Sequence, residues 1–393
     1  MKLTYIFNRE ITSEKASLVQ AVYMCDAFAS KGVSVEMAFP AGKKEGSKDY
    51  LVERFGIRHE FKLSYYTKIM LFNRLGIIGA YFGIKKFLMK SQADLYFTRC
   101  PMIFTFLADK RLPVIFEAHN ANIHNDFELY DKFWMNKVIN ASRKKNCLAF
   151  ITISENLGKH WAEKGVPASK ITALHDGFSN GMFKDEIDKL QARSELNLPL
   201  ESKIITYTGS LYRDREIENI INLAARFPDS LFLVVGGPQS DSDHYKSIAN
   251  ENEVTNIKFT GPVAHSKIPL YLYASDVLLA LWSKKVPTIN YCSPLKIFEY
   301  MAAGRNIVAH SFPTIKEVIR HQQNGLLADP DDFNDLVDKT AMALSINDRT
   351  IEKQARDEAF REYPWDKRAE KILKKAGVLP GTMTDLKQKA KIL

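Results

Sequence analysis

The chain has 393 residues, 46% hydrophobic and 26% charged, enough apolar material for a core in each of two or three domains of ~100 to 200 residues. Cys25, Cys100, Cys147 and Cys292 lie far apart with no CxxC pair, which speaks against a zinc site or a disulfide framework and for a reducing cytoplasm. The net charge of +9 suits nucleic acid, anionic lipid or phosphorylated substrates, and the lack of zinc-finger spacing, an RNP-type aromatic motif or a basic zipper region argues against nucleic acid.

In chain order, "MKLTYIF" meets Arg9 and Glu10 too soon for an export signal and is expected to be the first strand. "SVEMAF", "DLYFTR", "PVIFEAH", "AFITIS" and "KITALH" follow as strand-like runs before residue 176, separated by helical stretches. Ile69 to Lys90, "IMLFNRLGIIGAYFGIKKFLMK", is apolar, but Arg74 leaves it short of the ~20 residues that span a bilayer. It reads either as a core helix or as a half-exposed helix turning Lys68, Arg74, Lys85, Lys86 and Lys90 towards anionic lipid. Gly, Pro and Asn cluster between "HDGFSNGMF" and "LNLPLESK", around the helix-like "KDEIDKLQARSE", and mark a boundary. Beyond it come "KIITYTG", "LFLVVGG", "NIKFTG", "DVLLALW", "NIVAHS" and "GLLADP", then a last helix, "WDKRAEKILKKAG", after Pro364.

Such alternation predicts parallel sheets covered by helices on both faces, and two sets predict two doubly wound α/β domains. The expected divisions are residues 1–183, 184–365 and a terminal helix in 366–393. Ligands of open α/β sheets bind beyond the carboxyl ends of the strands. Those positions hold Glu117, His119, Asn120 and Ser154 in the first half, and Gly209, Ser210, Gly236, Gly237 and Gly261 in the second.

Two motifs carry chemistry. In "SPLKIFEYMAAG", Ser293 suits an N-cap, Pro294 the first helical position and Gly304 the C-terminus, so a helix of about three turns is expected. Leu295, Phe298 and Ala302 then share a packing face, and Lys296 and Glu299 share another at i and i+3. That pair is either a surface ion pair or a ligand set, with a phosphate at the helix N-terminus and a ribose hydroxyl at Glu299, roughly 9 Å along the axis from Ser293. In "YTGSLYRDREIENII", a helix starting near Asp214 would place Arg213 and Arg215 at the positive end of its dipole, unfavourable by ~0.3 to 1 kcal/mol unless an anion is present. The acidic run Asp241 to Asp243 reads as a solvated accident rather than a metal-binding DxD.

The order "YTGSL" with a following Arg, "VVGGP", "NIKFTGPV", "SPLKIFEYMAAGRNIVA", "NGLLADPDD" and "YPWDKRAEKIL" resembles the donor domain of GT-B retaining glycosyltransferases, family four. "FEAHN", "ITISENL" and "KITALHDGFSNGMF" agree more loosely in the first half. The resemblance implies two Rossmann-like domains facing across a cleft, with the acceptor on the first, the donor on the second and the last helix crossing back. It implies a UDP- or GDP-sugar donor, a glycan or lipid-linked acceptor of surface polysaccharide, lipopolysaccharide or glycolipid assembly, no metal or other cofactor, and a cytoplasmic or peripheral membrane location. On this sequence it gives Glu299 the donor ribose, Lys296 and Arg215 the diphosphate, Ser293 and Pro294 the turn facing phosphates and sugar, and His119 the transferred sugar. Gly209, Ser210, Arg213 and Gly236 complete the expected donor site. One departure is Tyr291, which stands where the family has a first glutamate; a sensor that binds nucleotide sugar without turnover fits that departure. A nicotinamide-dependent dehydrogenase is the rival enzyme, but "FNREITSEKAS" and "TGSLYRDRE" both lack its GxGxxG turn.

Overall fold

The computed structural model describes residues 1–13, 15–41, 48–67, 76–122 and 128–378. The chain divides into two compact units, one built from Met1–Asp176 with the segment from Trp365 onward, the other from Gly177–Pro364. The divisions therefore fall at 176/177 and 364/365 instead of the expected 183/184 and 365/366. Aromatic packing moves the first of them: Phe178 forms a β-bridge with Pro364 and packs edge-on against Phe183 and Phe360, in the core of the second unit.

In the first unit, the strands β1 (Lys2–Ile6), β2 (Ser34–Pro40), β3 (Lys62–Tyr66), β4 (Leu95–Thr98), β5 (Val114–Ala118), β6 (Cys147–Thr152) and β7 (Ile171–Ala173) form one sheet in the order β3-β2-β1-β4-β5-β6-β7. Its strand pairs run parallel. Strand β3, "KLSYY", escaped the sequence reading because it lies on the sheet edge, where half-buried polar residues replace the apolar run of an inner strand. The helix Trp365–Lys375 packs in this unit, burying Trp365, Arg368, Ala369, Ile372 and Leu373; the Trp365 ring stacks on Tyr23 of the helix Ala16–Ser30 at 6.3 Å.

In the second unit, β8 (Lys203–Thr208), β9 (Ser230–Val235), β10 (Ile257–Phe259), β11 (Val277–Ala280), β12 (Asn306–His310) and β13 (Leu326–Ala328) form a parallel sheet in the order β10-β9-β8-β11-β12-β13. The period of two shows how both faces are covered. Ile205, Tyr207, Phe232, Val234, Val277 and Leu279 enter one core, whereas Ile204, Leu233, Val235, Leu278 and Ala280 enter the other. Each buried Val, Leu, Ile or Phe among them contributes ~1.5 to 3 kcal/mol by leaving water. In both sheets the strand order reverses between the first strand of the unit and its fourth-in-line neighbour, at β1/β4 and at β8/β11, and such switch points open a crevice at the carboxyl ends.

The helix of "SPLKIFEYMAAG" spans Leu295–Ala303, with Pro294 in the cap position and Gly304 in the left-handed conformation that ends it. It starts one residue later than expected and Ser293 does not cap it; no side chain does. Ile297 to Ala303 are all buried, so the face that carries Glu299 is packed as well as the face of Phe298 and Ala302, while Leu295 and Lys296 at its start are half-buried. The "YRDRE" segment also differs. Arg213–Arg215 form a 3-10 turn, Glu216 is left-handed at φ 55°, and the helix begins only at Ile217. The expected start near Asp214 is too early because Leu211 and Ile217 are both buried, and the turn between them is spent bringing the chain from strand end to helix.

Candidate functional site

The carboxyl ends of β8 and β11 carry the candidate site of the second unit. The two strands pair only at Val277–Ile205 and Leu278–Thr206, and beyond that the Tyr300 hydroxyl bridges them. It accepts from the Thr208 backbone N–H at 2.8 Å and donates to the Leu279 carbonyl at 3.3 Å. Tyr300 thus fixes the helix Leu295–Ala303 against both strand ends, and with it the neighbours of Tyr300 in that helix.

The first of these is Lys296. Its ammonium nitrogen is closed off from solvent and makes no hydrogen bond, although the residue as a whole is half-buried. It lies 3.6 Å from the centroid of the Tyr207 ring and 5.4 Å from that of Trp282. Burial, and then the positive charge of Arg215, push it well below the usual lysine range, against the attraction of Glu299. A buried cation without an acid is expensive, so this arrangement is suited to an anion that completes it.

Gly209 turns the chain at φ +136°, and a Cβ there would stand 2.9 Å from the Lys296 nitrogen; glycine is required for both reasons. Ser210 accepts from the Tyr207 hydroxyl at 2.8 Å through its carbonyl. Gly236 follows β9 at φ +105°, where a Cβ would meet the Gly209 carbonyl at 2.8 Å, so the two strand ends approach backbone to backbone. Ser293 is buried, Pro294 half-buried, Arg215 half-buried and Arg213 exposed. Nothing in the described geometry brings the Arg213 side chain to the site.

Glu299 is buried, and its Oε1 lies 2.8 Å from Nε2 of His265. Of the two readings of the pair, the surface ion pair with Lys296 is not the arrangement described: Glu299 is engaged by His265, and Lys296 faces aromatic rings. His265, Tyr207 and Trp282 are the residues that sequence reasoning missed. Tyr207 lies near the end of β8, His265 after β10 and Trp282 after β11, so the strand-end rule points to their region without singling out these side chains. Asp241 and Asp243 lie at the start of the helix Gln239–Glu251, where Asp243 accepts from Gln239 at 2.8 Å. Tyr291 is half-buried in the loop ahead of Ser293.

In the first unit, His119 follows β5, and its Nε2 lies 2.5 Å from Oε1 of Glu117. Glu117 is fully buried and also accepts from Gln20 at 2.5 Å and Arg368 at 2.7 Å. Burial works to raise its carboxyl, but Arg368, His119 and Arg99 together hold it well below the usual carboxylate range. Burial and the nearby Arg99 push His119 down to about 4. The pair is then a carboxylate and a neutral imidazole, with Nε2–H donating to Glu117 and Nδ1 left as the acceptor nitrogen. Arg368 is buried and also donates to the carbonyls of His175 and Leu174 at 2.8 and 3.1 Å. Asp176 stands 4.0 Å from it, and burial, overriding that cation, pushes the Asp176 carboxyl up to about 7. Asn120 gives its carbonyl to the Trp161 indole at 3.2 Å, and Ser154 caps the helix Glu155–Glu163; both do structural work.

Two doubly wound parallel sheets, the second with a cation and a helix start at its switch point, define the GT-B class of glycosyltransferase folds. Solved structures of similar fold cover nearly the whole chain. A sucrose-phosphate synthase from Thermosynechococcus elongatus matches with a TM-score of 0.75 at 17% identity, over 95% of this chain and 97% of that one. HepE of Anabaena, solved with UDP and glucose, matches at 0.73 and 17% identity, over 96% and 100%. Residues 188–361, which lie within the second unit, match the family described as Glycosyl transferases group 1. A D-inositol 3-phosphate glycosyltransferase of Mycolicibacterium vanbaalenii is 24% identical over 219 residues, 52% of this chain. The match spans 47% of that relative's own length.

Proposed function

We propose that the protein is a retaining glycosyltransferase that moves a sugar from a nucleoside-diphosphate sugar to an acceptor hydroxyl. The observation that carries this reading is the buried, acid-free ammonium of Lys296 at the start of the Leu295–Ala303 helix, with a carboxylate one turn further on. The diphosphate would lie at Lys296, Arg215 and the uncapped helix start, and Glu299 would accept from the ribose hydroxyls. That HepE holds UDP and glucose supports a uridine nucleotide among the candidates.

The bond from the sugar C1 to the phosphate oxygen breaks, and its electron pair leaves with the diphosphate. Lys296 and Arg215 stabilise the charge that develops there, in a site whose low polarity strengthens every such contact. The acceptor oxygen bonds C1 on the same face, and its proton passes to an oxygen of the leaving phosphate. His119 would accept a sugar hydroxyl through Nδ1 and hold the ring. With cations from the chain in this place, the reaction needs no metal.

Steady-state kinetics in saturating EDTA test the assignment. Glu299→Ala should raise the donor KM by roughly ten- to a hundredfold, the loss of a charged hydrogen bond made in ground and transition states alike. Lys296→Ala and Arg215→Ala should lower kcat by about a hundredfold, because their partner gains charge only as the bond breaks. Unchanged donor KM and nucleotide affinity in Glu299→Ala would defeat the site assignment, and loss of rate in EDTA restored by Mn²⁺ would defeat metal independence. Nucleotide binding without turnover would make the protein a sensor.

We also propose that the acceptor belongs to surface polysaccharide, lipopolysaccharide or glycolipid assembly at an anionic membrane face. Support comes from the helix Gly76–Lys90, where Lys85, Lys86, Met89 and Lys90 are exposed while Ile84 and Leu88 are buried. Lys68 and Arg74 lie outside the described residues, and no described helix is long and apolar enough to cross a membrane. Flotation with anionic liposomes should recover the protein, and charge reversal at Lys85, Lys86 and Lys90 should abolish recovery; equal recovery of both forms would end this reading.

A further inference from the structure

Lys296 has two possible holders in its neighbourhood, and the structure uses the weaker one. Glu299 stands one helical turn away, yet its carboxylate is engaged by His265 at 2.8 Å. The ammonium instead lies over the face of Tyr207, 3.6 Å from the centroid, with Trp282 at 5.4 Å. Both rings are buried. The Tyr207 hydroxyl reaches past the turn to donate to the Ser210 carbonyl, and the Gly209 backbone closes on the ammonium from above the strand end.

We propose that Tyr207, backed by Trp282, is the positioning residue of the donor site: its ring face holds the Lys296 ammonium in place without neutralising it, while its hydroxyl fixes the turn at Ser210. A carboxylate at the same distance would pair with the cation in a medium of low polarity and cancel most of the field that a diphosphate is to meet. The negative face of an aromatic ring attracts a cation through a quadrupole, which falls off steeply with distance and leaves the net charge intact. His265 contributes to the same end by engaging the Glu299 carboxylate. The inference rests on the reading of Lys296 as a diphosphate ligand, and deepens it by saying why the charge is available.

The test is calorimetric titration of wild type and variants with UDP and GDP and with the matching nucleosides, on proteins of measured Tm. Tyr207→Phe keeps the ring and should bind the nucleoside diphosphate within about threefold of wild type. Tyr207→Leu should weaken the diphosphate by about tenfold or more while leaving nucleoside binding within about twofold. Replacement of Tyr207 by pentafluorophenylalanine, which keeps the shape of Phe and reverses the face, should reproduce the Leu result without a cavity; this variant decides the matter if Tyr207→Leu does not fold. In turnover the same loss should fall on kcat, as for Lys296→Ala. Equal affinities for the Phe and fluorinated forms, or a parallel loss for nucleoside and diphosphate, would reduce Tyr207 to a packing residue and overturn the proposal. If Lys296→Ala leaves diphosphate affinity unchanged, the donor-site reading itself fails, whatever Tyr207 does.

Discussion

Two ionisable residues of the first unit pull its pH dependence in opposite directions. His119 is pushed down to about 4 from an ordinary value of 6.5, so below pH 6.5 the unfolded chain takes up a proton that the folded one refuses, and stability is lost as pH falls. Asp176 is pushed up to about 7 from 3.8, so the folded chain holds a proton that the unfolded one has shed; that stability is complete below pH 3.8 and is lost as pH rises through 7. Between pH 5 and 6.5 the two slopes nearly cancel. Asp176→Asn removes one of them, and the variant should lose roughly 2 kcal/mol more than wild type on going from pH 6.5 to 5, at ~1.4 kcal/mol per pH unit. Urea titrations across that range check it, and parallel pH profiles for the two proteins would refute the assignment. Neither residue's behaviour could be read from the sequence, because it depends on Arg99, Glu117 and Arg368 reaching one place from two strand ends and a helix. The identity of His119, Lys296 and Glu299 as candidates was legible, since each sits at a position that strand order and helix spacing expose; their partners were not, since a ring such as Tyr207 looks like any other apolar residue of an inner strand.

Among the elements, the helix Trp365–Lys375 brings Arg368 to Glu117 and Trp365 to Tyr23. Arg368→Ala would strip Glu117 of its strongest cation and free two carbonyls from their donor. Breaking one partner out of a buried pair costs about 3 to 5 kcal/mol, and the first unit should lose stability on that scale in urea denaturation. Arg368→Lys keeps the charge but not the fork, and should lose less; equal losses would mean that the charge plays no part. The strands of the two sheets were legible as apolar runs bounded by Gly, Pro and polar residues, with the edge strand Lys62–Tyr66 as the exception. The helix starts were less so. Pro294 and Glu216 hold the cap positions where a capping side chain was expected at Ser293 and Asp214, and neither gives its helix a side-chain cap.

For the whole molecule, the two-unit division was legible because the alternation of strand and helix restarts after residue 200, and the exact boundary was not, because it is set by Phe178, Phe183 and Phe360 meeting across a long stretch of chain. The discontinuity of the first unit has a temporal side. Its sheet leaves the ribosome first and the helix carrying Arg368 last, with Gly177–Pro364 made in between. At about 5 to 20 residues per second that interval lasts roughly ten to forty seconds. Throughout it Glu117 awaits its cation and Tyr23 its stacking partner, while the second unit, uninterrupted in the chain, can already close its core. The newborn protein should therefore mature in reverse order of appearance. Nascent chains stalled just after Pro364 should resist protease across the second unit and be cut in the first, and resistance in the opposite order would show that the early sheet needs no late helix.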